Sequence, residues 1–213
     1  MLTLVQKLTE LQKEIFKNRQ KFKIINLDFG QSLSSSELLL LEDISLSKEF
    51  YLDKDDFFRF KLSWKLADDD SSIMFRGNIK ILPIAEIFRD WKGILYFEDT
   101  PIDSDRRDFK IVDYFLNEYA CGVYWGNKKD LTFYYAELDG SKPKSLDLDI
   151  NGYIEMMILS KGYLHWQMAI TDILYGDGLA NVDEFKEEMP KLFPGWTWEA
   201  FVQKFEEVRL HSV

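Results

Sequence analysis

Phe58-Arg59-Phe60-Lys61-Leu62-Ser63-Trp64-Lys65-Leu66 sets a large apolar residue at every second position, with Arg, Lys or Ser between. A period of two marks an extended strand, because successive side chains leave a pleated backbone on opposite faces. One face is expected to be buried and the other wet. An acidic turn follows, Asp68-Asp69-Asp70-Ser71-Ser72. A second apolar run passes through Gly77-Asn78 into Ile79-Lys80-Ile81-Leu82-Pro83, so the two runs read as a hairpin-like unit.

Toward the N-terminus, Thr3-x-x-Gln6 reads as a capping box. Leu4, Leu8, Leu11 and Ile15 then fall on one helical face, and Lys17, Arg19, Lys21 and Lys23 follow. A short strand is expected over residues 24–27 and a helix start at Ser34-Ser35-Ser36-Glu37. Beyond the central unit, residues 84–91 read as a short helix or turn and residues 94–97 as a small strand. Residues 98–108 form a polar connection rich in acids. Strands are expected over 111–115, 120–125 and 131–138, the last two joined by the turn-forming Gly126-Asn127-Lys128-Lys129-Asp130.

Asp149 is placed to cap a helix over 152–160 that Gly162 ends. Asn181-x-x-Glu184 reads as a capping box for a helix with Val182, Phe185, Met189 and Leu192 on one face. After Pro194-Gly195, a last apolar stripe runs through Trp198, Phe201, Val202, Phe205 and Val208. The strand connections are short, which favours antiparallel pairing. The fold class is α+β, a mainly antiparallel sheet packed by helices, with residues 1–175 as the domain (core about 30–170) and 176–213 as a C-terminal helical extension.

The chain has 213 residues and a hydrophobic content of 46%, enough for a core that needs no metal or disulfide staple. Its net charge is −10, from 27 basic and 37 acidic residues. Phosphate backbones and anionic membranes repel such a chain, whereas a basic protein partner is attracted and steered. No apolar run reaches about 18 residues and no signal-type segment opens the chain, so a cytoplasmic protein without a membrane partner is expected. Cys121 is the one thiol, set in an apolar run, and reads as buried and inert.

Few residues point to chemistry. The imidazoles are His165 and His211, and no His or Cys pair has zinc spacing. A carboxylate site for Mg²⁺ or Ca²⁺ stays open at Asp68-Asp69-Asp70 or at Asp99, Asp103 and Asp105. No nucleophile elbow, P-loop or dinucleotide fingerprint occurs. Arg59, Lys61 and Lys65 read as a charged strand face, with an anion site as the alternative. No catalytic residue, metal or cofactor is assigned.

Three segments carry a resemblance. Leu33-Ser34-Ser35-Ser36-Glu37 is followed by Leu46-Ser47-Lys48-Glu49-Phe50 and Phe57-Phe58; Leu62-Ser63-Trp64 leads to Gly77-Asn78-Ile79-Lys80-Ile81-Leu82-Pro83-Ile84; and Leu146-Asp147-Leu148-Asp149 precedes Tyr153-Ile154, Lys161-Gly162-Tyr163 and Trp166-Gln167. Together they resemble the SMI1/KNR4 (SUKH) superfamily over residues 30–170, differing at Leu46-Ser47 where a Leu-Pro step is usual. The resemblance implies a protein-binding α+β domain without catalytic residues, and many bacterial members are immunity proteins against secreted toxins, often nucleases. The expected function is therefore a non-enzymatic module that neutralises a basic toxin domain through acidic surface, with Asp99, Asp103, Asp105 and Asp108 as the contact residues. A carboxylate-dependent metal hydrolase and an intracellular regulatory or scaffold protein are the alternatives.

Overall fold

A computed structural model describes residues 4–28, 60–68, 75–126, 130–178 and 180–210. The expected helix start at Ser34-Ser35-Ser36-Glu37, the Arg59 side chain, Asp69-Asp70 and residues 127–129 lie outside them. Among the described residues, seven strands form one antiparallel sheet in sequence order: β1 (Phe22–Asp28), β2 (Phe60–Leu66), β3 (Gly77–Ile81), β4 (Phe109–Leu116), β5 (Tyr119–Tyr124), β6 (Asp130–Glu137) and β7 (Lys144–Ser145). Six helices accompany them among the described residues: α1 (Leu4–Lys17), α2 (Ile84–Ile87), α3 (Ile150–Leu159), α4 (Trp166–Tyr175), α5 (Ala180–Leu192) and α6 (Trp198–Val208). The architecture is the α+β class expected from the strand spacing. No helix among the described residues is long and apolar enough to cross a membrane.

The alternation in β2 does what its period requires. Phe60, Leu62 and Trp64 are buried, and the strand pairs Leu62 with Ile79 and Trp64 with Gly77 of β3. The Trp64 indole lies against Gly77, and a Cβ at Gly77 would collide with its ring. Its Nε1 donates to the Lys161 carbonyl at 2.8 Å, which ties β2 to the turn between α3 and α4. Gly162 in that turn has φ +63°, and a Cβ there would collide with the Ile79 side chain, so glycine is required twice over. One expectation fails on the other face of β2. Ser63 is 1% exposed rather than wet, and its hydroxyl donates to Asn78 Oδ1 at 2.6 Å.

The sheet is held differently between β3 and β4. Ile81 and Asp113 are the registered pair there, and bulges flank Asp113 in its pairing with β5. Side chains complete the seam. Asn78 Nδ2 donates to the Phe115 carbonyl, and the Lys80 N–H donates to Asp113 Oδ1 at 2.9 Å. Asp113 Oδ2 accepts from the Tyr153 hydroxyl of α3 at 2.8 Å, and Gln167 Nε2 of α4 donates to that same hydroxyl at 3.2 Å. Burial pushes the Asp113 carboxyl up to about 6, against the lowering effect of these two donors.

Leu8, Leu11 and Ile15 bury the predicted stripe of α1, and Asp149 caps α3 by accepting from the Gly152 N–H at 2.7 Å. Helix α4 escaped the reading of the sequence. Residues Trp166 to Thr171 are all buried, so no amphipathic period marks it. Asn181 sits inside the first turn of α5 rather than capping it, with its Nδ2 toward Met168 Sδ. The helical segment after residue 176 folds back onto the sheet. Phe193 stacks on Phe22 at 5.0 Å and meets Trp64 edge-on at 5.6 Å, and α6 packs on α3.

Asp113 turns toward α3, while its neighbour Tyr114 meets Trp91 edge-on at 6.1 Å. Residues 83–97, α2 among them, therefore cover the face of the sheet opposite α3. The small strand expected over 94–97 is instead a set of turns around Trp91. Ile94 and Leu95 both donate to the Trp91 carbonyl, and Gly93 at φ +85° donates to Tyr96.

Gly77→Ala should lower stability by about 3 kcal/mol in urea unfolding, because the added methyl displaces the Trp64 ring. Asp113 gives a pH signature. Folded, it holds its proton to about pH 6; unfolded, it releases it near 3.8. Between these values the folded state binds more protons, so stability falls as pH rises and levels off above 6. The contribution is about 3 kcal/mol. Asp113→Asn should abolish this component when unfolding free energies at pH 4 and pH 7 are compared with those of the parent chain.

Candidate functional site

The acidic connection expected at 98–108 is an ordered set of turns leading into β4. Phe97 N–H donates to Thr100 Oγ1 at 2.9 Å, and the Thr100 N–H returns to the Phe97 carbonyl at 3.1 Å. Ser104 donates to Pro101, and a 3₁₀ turn over Asp105–Arg107 closes the segment. Arg107 clasps the loop from beneath. Its Nε donates to the Pro101 carbonyl at 3.0 Å, and a terminal nitrogen donates to the Thr100 carbonyl at 2.6 Å. The same guanidinium lies 4.4 Å from the Tyr96 ring centre, and the Tyr96 hydroxyl donates to Asp90 Oδ1.

This clasp presents apolar side chains as well as acids. Ile102 is 92% exposed and Phe97 is 55% exposed. Glu98, Asp99, Asp103 and Asp105 are exposed on the same segment. Asp108 differs from the other three expected contact residues. It is half-buried at the foot of the loop, its carboxylate against Gly126, and its carbonyl accepts from the Trp125 N–H at 2.7 Å. Burial lowers the pKa of nearby Lys110, and the negative charges of Asp108 and Asp90 oppose that shift. The structure thus brings Asp99, Asp103 and Asp105 to the exposed part of one loop and turns Asp108 inward. Ile102, Phe97 and Arg107 were not singled out from the sequence. The available signal was Pro101-Ile102-Asp103, an apolar residue in an acidic stretch with no periodic partner to bury it with.

Beside the loop lies a pocket of about 220 Å³. Phe109, Tyr124 and Ala136 from three neighbouring strands line it, together with Leu95, Leu138 and Pro143. Arg106, Glu137 and Asp139 contribute charges, and Phe97 belongs to both the loop and the pocket.

Other reactive groups are embedded. Cys121 is buried, and burial together with the Asp113 charge pushes its thiol pKa well up. It is the buried thiol the sequence implies. His165 is half-buried and edge-on to Tyr119 at 4.9 Å; burial holds its pKa below the usual imidazole value, opposed by the Glu184 charge. Among the described residues, no three His, Cys, Asp or Glu side chains converge on a common point that could hold a metal ion. No family model, curated protein or solved structure matches this chain.

Arg107→Ala should release the loop without unfolding the sheet. Amide hydrogen exchange at Ser104 and Thr100 should quicken by tenfold or more, with the β2 and β5 amides unchanged.

Proposed function

We propose that this chain is a non-enzymatic protein-binding module of the SMI1/KNR4 type, acting in the cytoplasm as an immunity protein against a toxin with a basic, nucleic-acid-binding surface. Its binding surface is the 97–105 loop. The observation that supports this reading is a clasped loop holding Ile102 almost fully in water, surrounded by Glu98, Asp99, Asp103 and Asp105. Covering an isoleucine side chain is worth about 1.5–3 kcal/mol. Because Arg107 already orders the loop, little of that gain is spent on ordering it during binding.

The two components of the surface have separate roles. The acids, within a chain of net charge −10, accelerate encounter with a basic partner and disfavour nucleic acid. The apolar tip governs how long the complex lasts, since desolvated anchors act mainly on dissociation. Neither role requires bond-making by this chain.

The test is binding to the product of a neighbouring gene, measured by surface plasmon resonance at several salt concentrations. Ile102→Ala should weaken the complex about tenfold through faster dissociation, with the melting temperature unchanged. Asp103→Lys with Asp105→Lys should slow association several-fold and flatten its salt dependence. Unchanged rates in both variants would remove this loop as the binding surface.

A further inference from the structure

The pocket beside the loop has a size that narrows what it can take. A cavity of about 150 Å³ lined by aliphatic and aromatic side chains accepts benzene, whereas cofactor and drug-like sites span about 300–1,000 Å³. At about 220 Å³ this one has room for a single ring or branched aliphatic group. Phe109 and Ala136 at its lining are buried, and Leu95, Leu138 and Tyr124 are partly covered.

The charges around it favour one sign of ligand. Glu137 and Asp139 border the pocket against a single cation, Arg106. Glu118 adds to this negative field, since its charge acts with those of Glu137 and Asp139 on the Tyr119 hydroxyl. Asp139 is fixed in place by the Ser141 N–H, which donates to its Oδ1 at 2.8 Å. The Glu137 side chain makes no hydrogen bond or ion pair among the described residues. The exposed acids of the loop extend the negative surface past Phe97, which reaches both sites.

We infer that the pocket seats one aromatic or branched aliphatic side chain of the partner protein, flanked on the partner's chain by lysine or arginine that meets Glu137 and Asp139. This rests on the protein-binding reading above and gives it a second anchor. The ring displaces water from Phe109, Tyr124 and Leu138, and the flanking cation is paired at the rim. A neutral apolar ligand gains only the first effect, and an acidic one is repelled.

The experiment uses the full chain and three synthetic peptides, Ac-Lys-Trp-Lys-amide, Ac-Glu-Trp-Glu-amide and Ac-Lys-Ala-Lys-amide, followed by ¹⁵N chemical shifts. The Lys-Trp-Lys peptide should shift Leu95, Leu138 and Gly140 saturably and bind at least fivefold tighter than Glu-Trp-Glu. The Lys-Ala-Lys peptide should leave those amides in place. Ala136→Leu fills the pocket and should abolish the shifts. Should that variant fail to fold, Glu137→Lys serves instead, and should reduce the preference for Lys-Trp-Lys by fivefold or more. Equal binding of all three peptides, shifts elsewhere on the sheet, or an unaltered preference in Glu137→Lys would overturn the pocket assignment. Ile102→Asp should leave peptide binding intact, so failure of the loop reading and failure of the pocket reading give different results.

Discussion

A buried carboxylate holds the sheet together at the place where its backbone ladder is weakest. Between β3 and β4 the registered pairing comes down to Ile81 with Asp113, the Leu82 N–H donates to the Val112 carbonyl beside it, and side chains complete the seam. Asp113 accepts from the Lys80 N–H on one side and from the Tyr153 hydroxyl on the other. Two strands and helix α3 therefore meet at one group that is 1% exposed. Gln167 extends the contact to α4. Burying such a group is costly, which is why its pKa rises, and its bonds offset only part of that cost. Its return is register: a slip of one residue would turn Asp113 to the opposite face and leave Tyr153 without its acceptor.

The site depends on that register. The strand that Asp113 fixes begins at Phe109, immediately after the acidic loop, and Phe109 is also a wall of the pocket. Tyr153 is locked in turn by a stack on Phe133 at 4.4 Å and by contact with Trp166 at 5.2 Å. The helix layer thus positions β4 from one face. Trp91 and the turns of 83–97 press on Tyr114 from the other. The loop projects from a strand gripped on both sides, so its exposed residues are carried on a stiff base.

Much of this fold was legible because the signals are local. The alternation of Phe60, Leu62 and Trp64, the α1 stripe and the Asp149 cap all act within a few residues, and all stand in the structure. Helix α4 was not legible, since Trp166 to Thr171 are covered on every side and burial erases the period. Ser63 and the turns at 94–97 also went astray. Ser63 is covered by Asn78, fifteen residues away, which only the folded chain brings near, and the turns at 94–97 close on the local Trp91 carbonyl in place of a strand partner. In the candidate site the acids were visible as composition, but their orientation was not. Asp108 turns inward because it packs on Gly126, eighteen residues away in sequence. The pocket draws on strands β4, β5 and β6 and the turn after Trp91, so no window of sequence contains it.

The division between scaffold and loop has a consequence for specificity. The hydrogen bonds that order residues 97–105 come from that segment itself, from Arg107 and Asp108 at its base and from Lys92, which donates to Glu98, not from the sheet. Residues 98, 99, 102, 103 and 105 point into water and contribute nothing to the Asp113 seam. Side chains there are thus decoupled from stability, as distant sites without shared partners are. On the proposed reading this lets the loop match different partners by changing charge and apolar content at its tip. The pocket is the opposite case. Phe109 and Ala136 serve the core and the cavity at once, so its shape changes only at a cost to the sheet. A partner that uses both surfaces would read a constant anchor from the pocket and a variable identity from the loop.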